Sequence, residues 1–325
     1  MERFAAEVSD PRCAAITKRL ATPLRVAVSG RRGVGRSTVA HALARAGDQR
    51  GTIALTSEPL HADVADVVDV VVYVIAEVTK PEDCDAIGAI GRPVLAVLNK
   101  ADLIATTESG CHPHGPTAAA RTRCARLSAR VGMPIEPLVG VLAVAALDGL
   151  VDDTLWDALQ ALANGHPVAA PQRHRLVDTL DMFGVTQAMA AIGRGATRAD
   201  TGTLLRGLSC IDEVVDKIEA LGAQVYYQRV LDAVAELETL AVTDRRVATF
   251  LSRDDTVVAR MMAAVDVVGA VGINVDRCDT AAAHLRRAVD WHGYRRGPVT
   301  ALHRACGADI VRGSLRLWTK VGGAV

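Results

Sequence analysis

Apolar residues follow one pattern in the first half of the chain and a different pattern in the second half. Up to about residue 165, short apolar runs alternate with stretches whose apolar residues are spaced as in a helix. Nearly continuous apolar runs of this length are typical of strands buried on both faces of a parallel sheet. The pattern predicts five parallel strands, with helices on both faces, near residues 24–29, 52–57, 67–75, 93–98 and 138–145.

Beyond Pro171 the strand pattern ends, and apolar residues recur every three or four positions, as at Leu176 and Leu180. This spacing predicts helices near residues 201–222, 224–242, 254–272, 280–293 and 297–320. Asp10 and Pro11 predict the start of a short helix that ends at Leu20. The expected fold class is α/β, with a helical segment over 1–22, a parallel-sheet domain over 23–165 and an all-helical domain over 166–325.

A glycine-rich loop connects the first predicted strand to the helix-like stretch that follows. Its residues are Gly30, Arg31, Arg32, Gly33, Val34, Gly35, Arg36, Ser37 and Thr38. Glycines allow torsions in which several N–H groups point inward, and a helix N-terminus favours the negative charge of phosphate. The P-loop pattern G-x-x-x-x-G-K-[ST] has lysine where this chain has Arg36, a larger and planar cation. The alternative is an ordinary glycine-rich turn between a strand and a helix.

A second motif follows the fourth predicted strand and consists of Asn99, Lys100, Ala101 and Asp102. We call residues 99–102 the base motif. A carboxylate at Asp102 can accept hydrogen bonds from the ring N1–H and the N2 amino group of guanine, and adenine lacks that amino group. Paired hydrogen bonds to a charged group are strong and selective. The motif therefore predicts guanine recognition.

Together these two motifs resemble the Ras/Era/dynamin class of P-loop GTPases, which is related to the translation factors. The resemblance implies that Asn99 ties the base motif to the glycine-rich loop and that the Lys100 stem covers the base. The segment from Ala145 to Leu150, after the fifth predicted strand, resembles another guanine-contacting segment of this class. The implied nucleotide contacts are Gly30, Gly33, Val34, Gly35, Arg36, Ser37, Thr38, Asn99, Lys100, Asp102, Ala146 and Leu147, with GTP or GDP as ligand and Mg²⁺ at Ser37.

The chain departs from this class between its first two sequence motifs. The segment between Gly47 and Val67 has room for one strand, so we expect no antiparallel edge strand between residues 38 and 66. The class has a D-x-x-G motif there, whereas this chain has residues 56–60, Thr-Ser-Glu-Pro-Leu. Glu58 is the nearest acid, either as a Mg²⁺ ligand through water or as a solvent-facing turn residue. No glutamine stands where it would orient a water, so we expect hydrolysis to be lost or rebuilt.

Composition narrows the class of protein. The chain has 325 residues, of which 50% are hydrophobic and 3% aromatic, and its 37 basic and 37 acidic residues balance. Zero net charge argues against a general nucleic-acid binder.

Seven scattered cysteines predict free thiols in a reducing cytosol. The start of the chain lacks the pattern of a secretory signal, and the most apolar helical run, 261–275, contains Asp266 and is too short to span a bilayer. We expect a cytoplasmic protein whose membrane association is at most indirect or peripheral.

Two further clusters contain metal-binding or charged side chains. The Cys111–His114 cluster lacks a second ligand pair at a zinc-binding spacing, so no metal site is expected there. Arg121, Arg123, Arg126 and Arg130 lie on one predicted helix, as either a solvated face or a partner-binding face.

The order of a nucleotide domain and a helical domain resembles bacterial dynamin-like proteins, of which this chain would be a shortened or degenerate member. The resemblance implies a GTP-binding protein that acts by nucleotide-dependent binding of a protein partner, such as a larger GTPase. Two alternatives are a GTPase completed in trans by dimerisation or a partner, and a scaffold whose nucleotide pocket stays empty.

Overall fold

The computed structural model describes residues 10–56, 68–103 and 116–322. Its strands are β1 (Leu24–Gly30), β2 (Ile53–Leu55), β3 (Val70–Ala76), β4 (Val94–Asn99) and β5 (Ile135–Leu138). Its helices are α1 (Pro11–Leu20), α2 (Arg36–Arg50), α3 (Pro81–Gly88), α4 (Pro116–Val131), α5 (Gly140–Leu147), α6 (Asp153–Ala163), α7 (Ala170–Gly193), α8 (Arg198–Ser209), α9 (Ile211–Ala241), α10 (Arg245–Ser252), α11 (Asp254–Ala270), α12 (Ala281–Arg296) and α13 (Ala301–Lys320).

The strands form one sheet in the order β2-β1-β3-β4-β5, and every neighbouring pair is parallel. The prediction of five parallel strands is confirmed. All residues of β3 from Val70 to Ile75 are buried, which explains why its sequence is apolar without alternation. Within residues 38–56 the structure contains β2 and no antiparallel strand, and residues 57–66 of that predicted interval lie outside the described ranges.

The predicted position of the fifth strand is wrong. The sequence predicts a strand over 138–145, whereas β5 ends at Leu138 and α5 occupies Gly140–Leu147. Five of the eight α5 residues are buried, so this helix has no polar stripe that would reveal its period. A buried helix and a buried strand are both apolar throughout, and its alanines and leucines favour the helix.

The contacts divide the chain into two compact units, Pro23–Glu219 and Met1–Thr22 with Ala220–Val325. We call these the sheet unit and the helical unit. In the sheet unit an apolar cluster joins α5 through α8, and its buried members include Leu142, Leu155, Leu176 and Leu205. This cluster groups α7 and α8 with the sheet, while the sequence-based division at residue 165 stays a prediction.

The break between α8 and α9 also differs from the prediction. The sequence predicts helices over 201–222 and 224–242, but α9 continues through Gly222 and the break lies at Cys210. Cys210 has a left-handed backbone with φ of 61°. Glycine is the residue that usually marks such a position, so a cysteine there carries no signal in the sequence.

Two apolar clusters form the interior of the helical unit. One includes Tyr227, Met261, Trp291 and Ile310, and the other joins α1 to α9 and α10 through Ile16 and other buried residues. Asp309 is buried beside the first cluster, where it accepts hydrogen bonds from the Tyr227 hydroxyl and the Arg260 guanidinium, both at 2.8 Å. A buried carboxylate is stable there because it is paired and hydrogen-bonded.

Candidate functional site

The glycine-rich loop lies at a point where the sheet changes direction. Strand β1 pairs with β2 on one side and with β3 on the other, so the chain leaves β1 toward one side and later returns to its other side. Ligands of open parallel sheets bind outside the carboxyl ends of strands at such a switch point. The loop follows the carboxyl end of β1 and leads into α2. The topology therefore places it where a ligand is expected.

Two glycines of this loop are required by their surroundings. Gly30 has φ of 140°, and a Cβ there would lie 2.4 Å from the carbonyl oxygen of Val74. Gly35 has φ of 89°, and a Cβ there would lie 2.3 Å from Nδ2 of Asn99. Gly33 has a similar φ of 86°, but a Cβ there would meet no atom within 4 Å. The loop thus needs glycine for close approach at Gly30 and Gly35, and for backbone conformation at Gly33.

Asn99 joins three segments of the sheet unit. Its Nδ2 donates to the carbonyl oxygen of Val34 at 3.0 Å, and its Oδ1 accepts from the backbone N–H of Gly140 at 3.1 Å. The side chain is buried, with 3% of the residue exposed. We call Asn99, Val34 and Gly140 with these hydrogen bonds the Asn99 joint. It contains the tie to the glycine-rich loop that the resemblance implies, and it adds the start of α5.

Asp102 lies in a single 3-10 turn, Ala101–Leu103, directly after β4, and is 6% exposed. Burial raises the pKa of Asp102, and the charge of Asp181 raises it further, whereas its own backbone N–H and Lys100 lower it. Lys100 is exposed and has a left-handed backbone with φ of 57°. The base motif therefore presents a largely desolvated carboxylate, for which a ligand with two N–H donors would be a matching partner.

An open cleft of about 870 Å³ adjoins the glycine-rich loop. Its lining comes from the loop, the first three turns of α2 and the ends of β1 and β2: Val28, Arg32, Gly33, Gly35, Arg36, Ser37, Ala40, His41, Ala44, Leu55 and Thr56. The predicted nucleotide contacts Gly33, Gly35, Arg36 and Ser37 thus face one space. Asn99, Lys100 and Asp102 are not among the residues that line it.

The charge around this cleft is positive. Arg32 and Arg36 are exposed, and neither forms an ion pair with a described residue. Helix α2 begins after Gly35 with no side-chain cap and no acidic residue in its first turn. Its first N–H groups and its dipole are therefore available to an anion.

Arg31, unlike Arg32 and Arg36, is paired with a described carboxylate. Its Nε donates to Oδ1 of Asp83 at 2.8 Å, and the hydroxyl of Tyr73 donates to the same oxygen at 3.1 Å. Oδ2 of Asp83 accepts from the backbone N–H of Lys80 at 2.9 Å. Burial alone would raise the pKa of Asp83, but these three donors together lower it. Arg31 thus anchors the loop to the start of α3.

A second cluster of polar side chains, which the sequence does not predict, includes two residues of α2. Nε2 of His41 is 2.6 Å from Oδ2 of Asp148, and Nε of Arg45 donates to Oδ1 at 2.5 Å. The contact with His41, followed by that with Arg45, lowers the pKa of Asp148. His41 and Arg45 are four residues apart, so one helix face presents both to the end of α5. This spacing is visible in the sequence, but its partner, far along the chain, is not.

Ala146 and Leu147 do not occupy the position expected of them. They are the last residues of α5 rather than a loop after a strand. The segment that follows β5 is Val139 and Gly140, and the Gly140 N–H is already bonded to Asn99. The expected base contact of Ala146 and Leu147 therefore stays a prediction whose structural premise, a preceding strand, is wrong.

The described donors around Ser37 are hydroxyls, and the expected Mg²⁺ site there stays a prediction. The Ser37 and Thr56 hydroxyls line the cleft, but no described lining residue is a carboxylate. Mg²⁺ sites usually use one or two carboxylates together with substrate phosphates. Within residues 10–56, 68–103 and 116–322, no group of three or more histidine, cysteine or acidic residues could hold a metal ion. Glu58 and the Cys111–His114 cluster lie outside those ranges.

Three of the four arginines of α4, Arg121, Arg126 and Arg130, are exposed, and Arg123 is half-buried. Cys124 and Leu127 of this helix are buried against β4 and β5, whereas Arg121 is exposed and pairs with Glu213 at 2.5 Å. Both interpretations of this face, solvated or partner-binding, stay predictions.

No protein-family model matches the sequence, and no curated protein matches it either. Among the described helices, none combines the length and the apolar character needed to cross a bilayer.

Proposed function

We propose that the protein is a P-loop GTPase-like protein that binds a guanine nucleotide, with phosphates at the glycine-rich loop and the base at Asp102. The observation that carries this proposal is the Asn99 joint. It bonds the loop that would hold phosphate to the motif that would read the base, at 3.0 Å through Val34. An ordinary strand-to-helix turn has no need of a buried asparagine from another strand.

The phosphate end is supported by charge and by backbone geometry. Left-handed glycines, an uncapped helix N-terminus and two arginines without a described carboxylate partner surround one cleft. Each of these features favours an anion, and phosphate is the anion that fits a nest of backbone N–H groups. Arg36 can pair with phosphate through two parallel hydrogen bonds.

The base end is supported by Asp102. A carboxylate with 6% exposure and a raised pKa gains most from a ligand that donates two hydrogen bonds. The Watson–Crick edge of guanine provides two adjacent donors, and that of adenine does not. The base motif thus favours guanine over adenine.

Catalytic turnover is expected to be slow or absent in the isolated protein. Hydrolysis needs charge stabilisation on the β- and γ-phosphates and an oriented attacking water. The described cleft offers arginines for the charge but no glutamine or carboxylate for the water. We therefore propose that the protein acts by binding a protein partner in one nucleotide state. The choice of a larger, dynamin-like GTPase as that partner rests on the resemblance alone.

Titration with fluorescent GTP, GDP and ATP analogues tests the proposal. We expect guanine nucleotides to bind more tightly than ATP, and Asp102→Asn to weaken GTP binding by about 1–3 kcal/mol, or about 5- to 150-fold. The exposed Asp157, on α6, provides a matched Asp→Asn control that should leave binding unchanged. Equal binding of GTP and ATP by the unmutated protein would show that the base assignment is wrong.

Exchange of the base gives a sharper version of the same test. Asparagine presents one acceptor and one donor, and xanthine presents N1–H beside a carbonyl oxygen at position 2. The Asp102→Asn variant should therefore prefer XTP to GTP. A loss of all nucleotide binding without this reversal would indicate a folding role for Asp102 instead. Phosphate release that rises steeply with protein concentration would favour a GTPase completed in trans.

A further inference from the structure

Among the described residues that line the cleft beside the glycine-rich loop there is no carboxylate, the group that usually helps to hold Mg²⁺. The described lining includes two guanidinium groups, one imidazole and two hydroxyls. His41 is itself paired with Asp148, and the Asp148 carboxylate also accepts from Arg45. Both oxygens of the Asp148 carboxylate are therefore already in contact with side chains of α2. Asp148 is also not among the residues that line the cleft.

The positive charge needed by a polyphosphate is present in the protein. Arg32 and Arg36 both line the cleft, and α2 directs its uncapped N-terminus toward the same space. A divalent cation beside Ser37 would lie among these like charges with no described carboxylate to offset them. A polyphosphate without a bound metal carries more negative charge than its Mg²⁺ complex and suits this lining better.

We propose that the site binds the nucleotide polyphosphate without a divalent cation, and that Arg32 and Arg36 supply the charge that Mg²⁺ supplies elsewhere. This inference rests on the proposed function, because it concerns the same ligand in the same cleft. The ligand bound is then the free nucleotide polyanion rather than a metal–nucleotide complex. Binding should consequently depend strongly on salt, since both arginines are exposed.

Nucleotide titration of the full chain in excess EDTA and in saturating MgCl₂ tests the inference. We expect the dissociation constant for fluorescent GTP in EDTA to equal or fall below that in MgCl₂. Arg32→Gln and Arg36→Gln should each weaken binding in EDTA by about tenfold, whereas Arg194→Gln, at an exposed arginine away from the cleft, should not. Binding that requires MgCl₂ would overturn the inference and leave the proposed function intact. Absence of binding in both buffers would overturn the proposed function itself.

A gain-of-function variant directly tests the effect of adding a carboxylate to the described lining. Thr56 lies just after β2 and lines the cleft together with Ser37. Thr56→Asp should weaken GTP binding in EDTA and restore it on addition of MgCl₂, because it adds an acidic oxygen donor that Mg²⁺ prefers. Thr56→Asn has nearly the same shape without the charge and should show no response to MgCl₂. Circular dichroism establishes that both variants fold, and a folded Thr56→Asp variant indifferent to MgCl₂ would count against the inference.

Discussion

The Asn99 joint predicts that two glycines with nearly the same φ will respond differently to alanine. Gly33 and Gly35 have φ of 86° and 89°. An added methyl group at Gly33 meets no atom within 4 Å, whereas at Gly35 it would lie 2.3 Å from Nδ2 of Asn99. Gly33→Ala is therefore a matched control that measures the backbone term alone.

The expected loss in the free energy of unfolding has a backbone contribution at both glycines and a hydrogen-bond contribution at Gly35 only. A left-handed alanine costs about 1–2 kcal/mol, and the smaller entropy of the unfolded chain offsets about 0.4–1 kcal/mol of that. We therefore expect Gly33→Ala to destabilise the protein by about 1 kcal/mol. At Gly35 the methyl group must also displace the Asn99 amide from Val34 or Gly140. The buried partner left unpaired adds about 1–3 kcal/mol to this backbone term, so Gly35→Ala should cost about 2–4 kcal/mol.

A double-mutant cycle isolates the contact. In an Asn99→Ala background the amide is gone, so Gly35→Ala should cost no more than Gly33→Ala, and the coupling energy should be about 1–3 kcal/mol. Urea unfolding gives the free energies, and hydrogen-exchange mass spectrometry over residues 30–38 and 135–147 assigns the change to the sheet unit. Such assignment is needed because a chain with two units need not unfold in one step. Equal costs at Gly33 and Gly35, or no coupling to Asn99, would refute the reasoning.

Three other changes test separate parts of the structure. The pKa of Asp83 in the folded protein lies below its ordinary value near 3.8. The stability that its charge contributes is therefore present above that pH and is lost as the pH falls through the folded pKa. Asp83→Asn should lower the free energy of unfolding by about 1–3 kcal/mol at pH 7 and by less at pH 3. Asp309→Ala leaves the Arg260 charge without its buried partner and should cost about 3–5 kcal/mol in urea unfolding, whereas Asp266→Ala, at a 58% exposed carboxylate, should cost less than about 1 kcal/mol. Lys100→Gly relieves a left-handed backbone and should leave stability unchanged or raise it by up to about 1 kcal/mol, yet weaken GTP binding if the Lys100 stem covers the base.

The sequence is most informative where the physical signal is local. Continuous apolar runs predict β1, β3 and β4, and the first two motifs lie directly after strands as predicted. The motif glycines at Gly30, Gly33 and Gly35 have the positive φ values that the loop pattern implies. Each of these features depends on neighbouring residues, so a short segment is enough to reveal it.

The errors and omissions have long-range causes. The sequence predicts a strand where α5 lies, because burial of this helix by α7 and α8 removes the polar positions that would mark its period. The Asp83 partner of Arg31 is 52 residues away, and the Asp148 partner of His41 is 107 residues away. Pairs at such separations become neighbours only through the strand order, which local patterns do not reveal. The Asn99 contact is predicted only because a family resemblance provides its partner.

The departures of this chain from the GTPase pattern are physically consistent with one another. Where lysine and a bound Mg²⁺ share the neutralisation of the phosphates, loss of the acidic residue that helps to hold the metal leaves a deficit of positive charge. Arginine at position 36 and a second exposed arginine at position 32 provide charge at the same cleft. Their planar groups can each contact two phosphate oxygens, which a single ammonium group does less specifically. Under the proposed function, the arginine at position 36 and the absence of a D-x-x-G motif from residues 56–60 are therefore physically linked. Under the proposed function the cleft holds phosphate, and its described lining contains no carboxylate or glutamine that would serve hydrolysis.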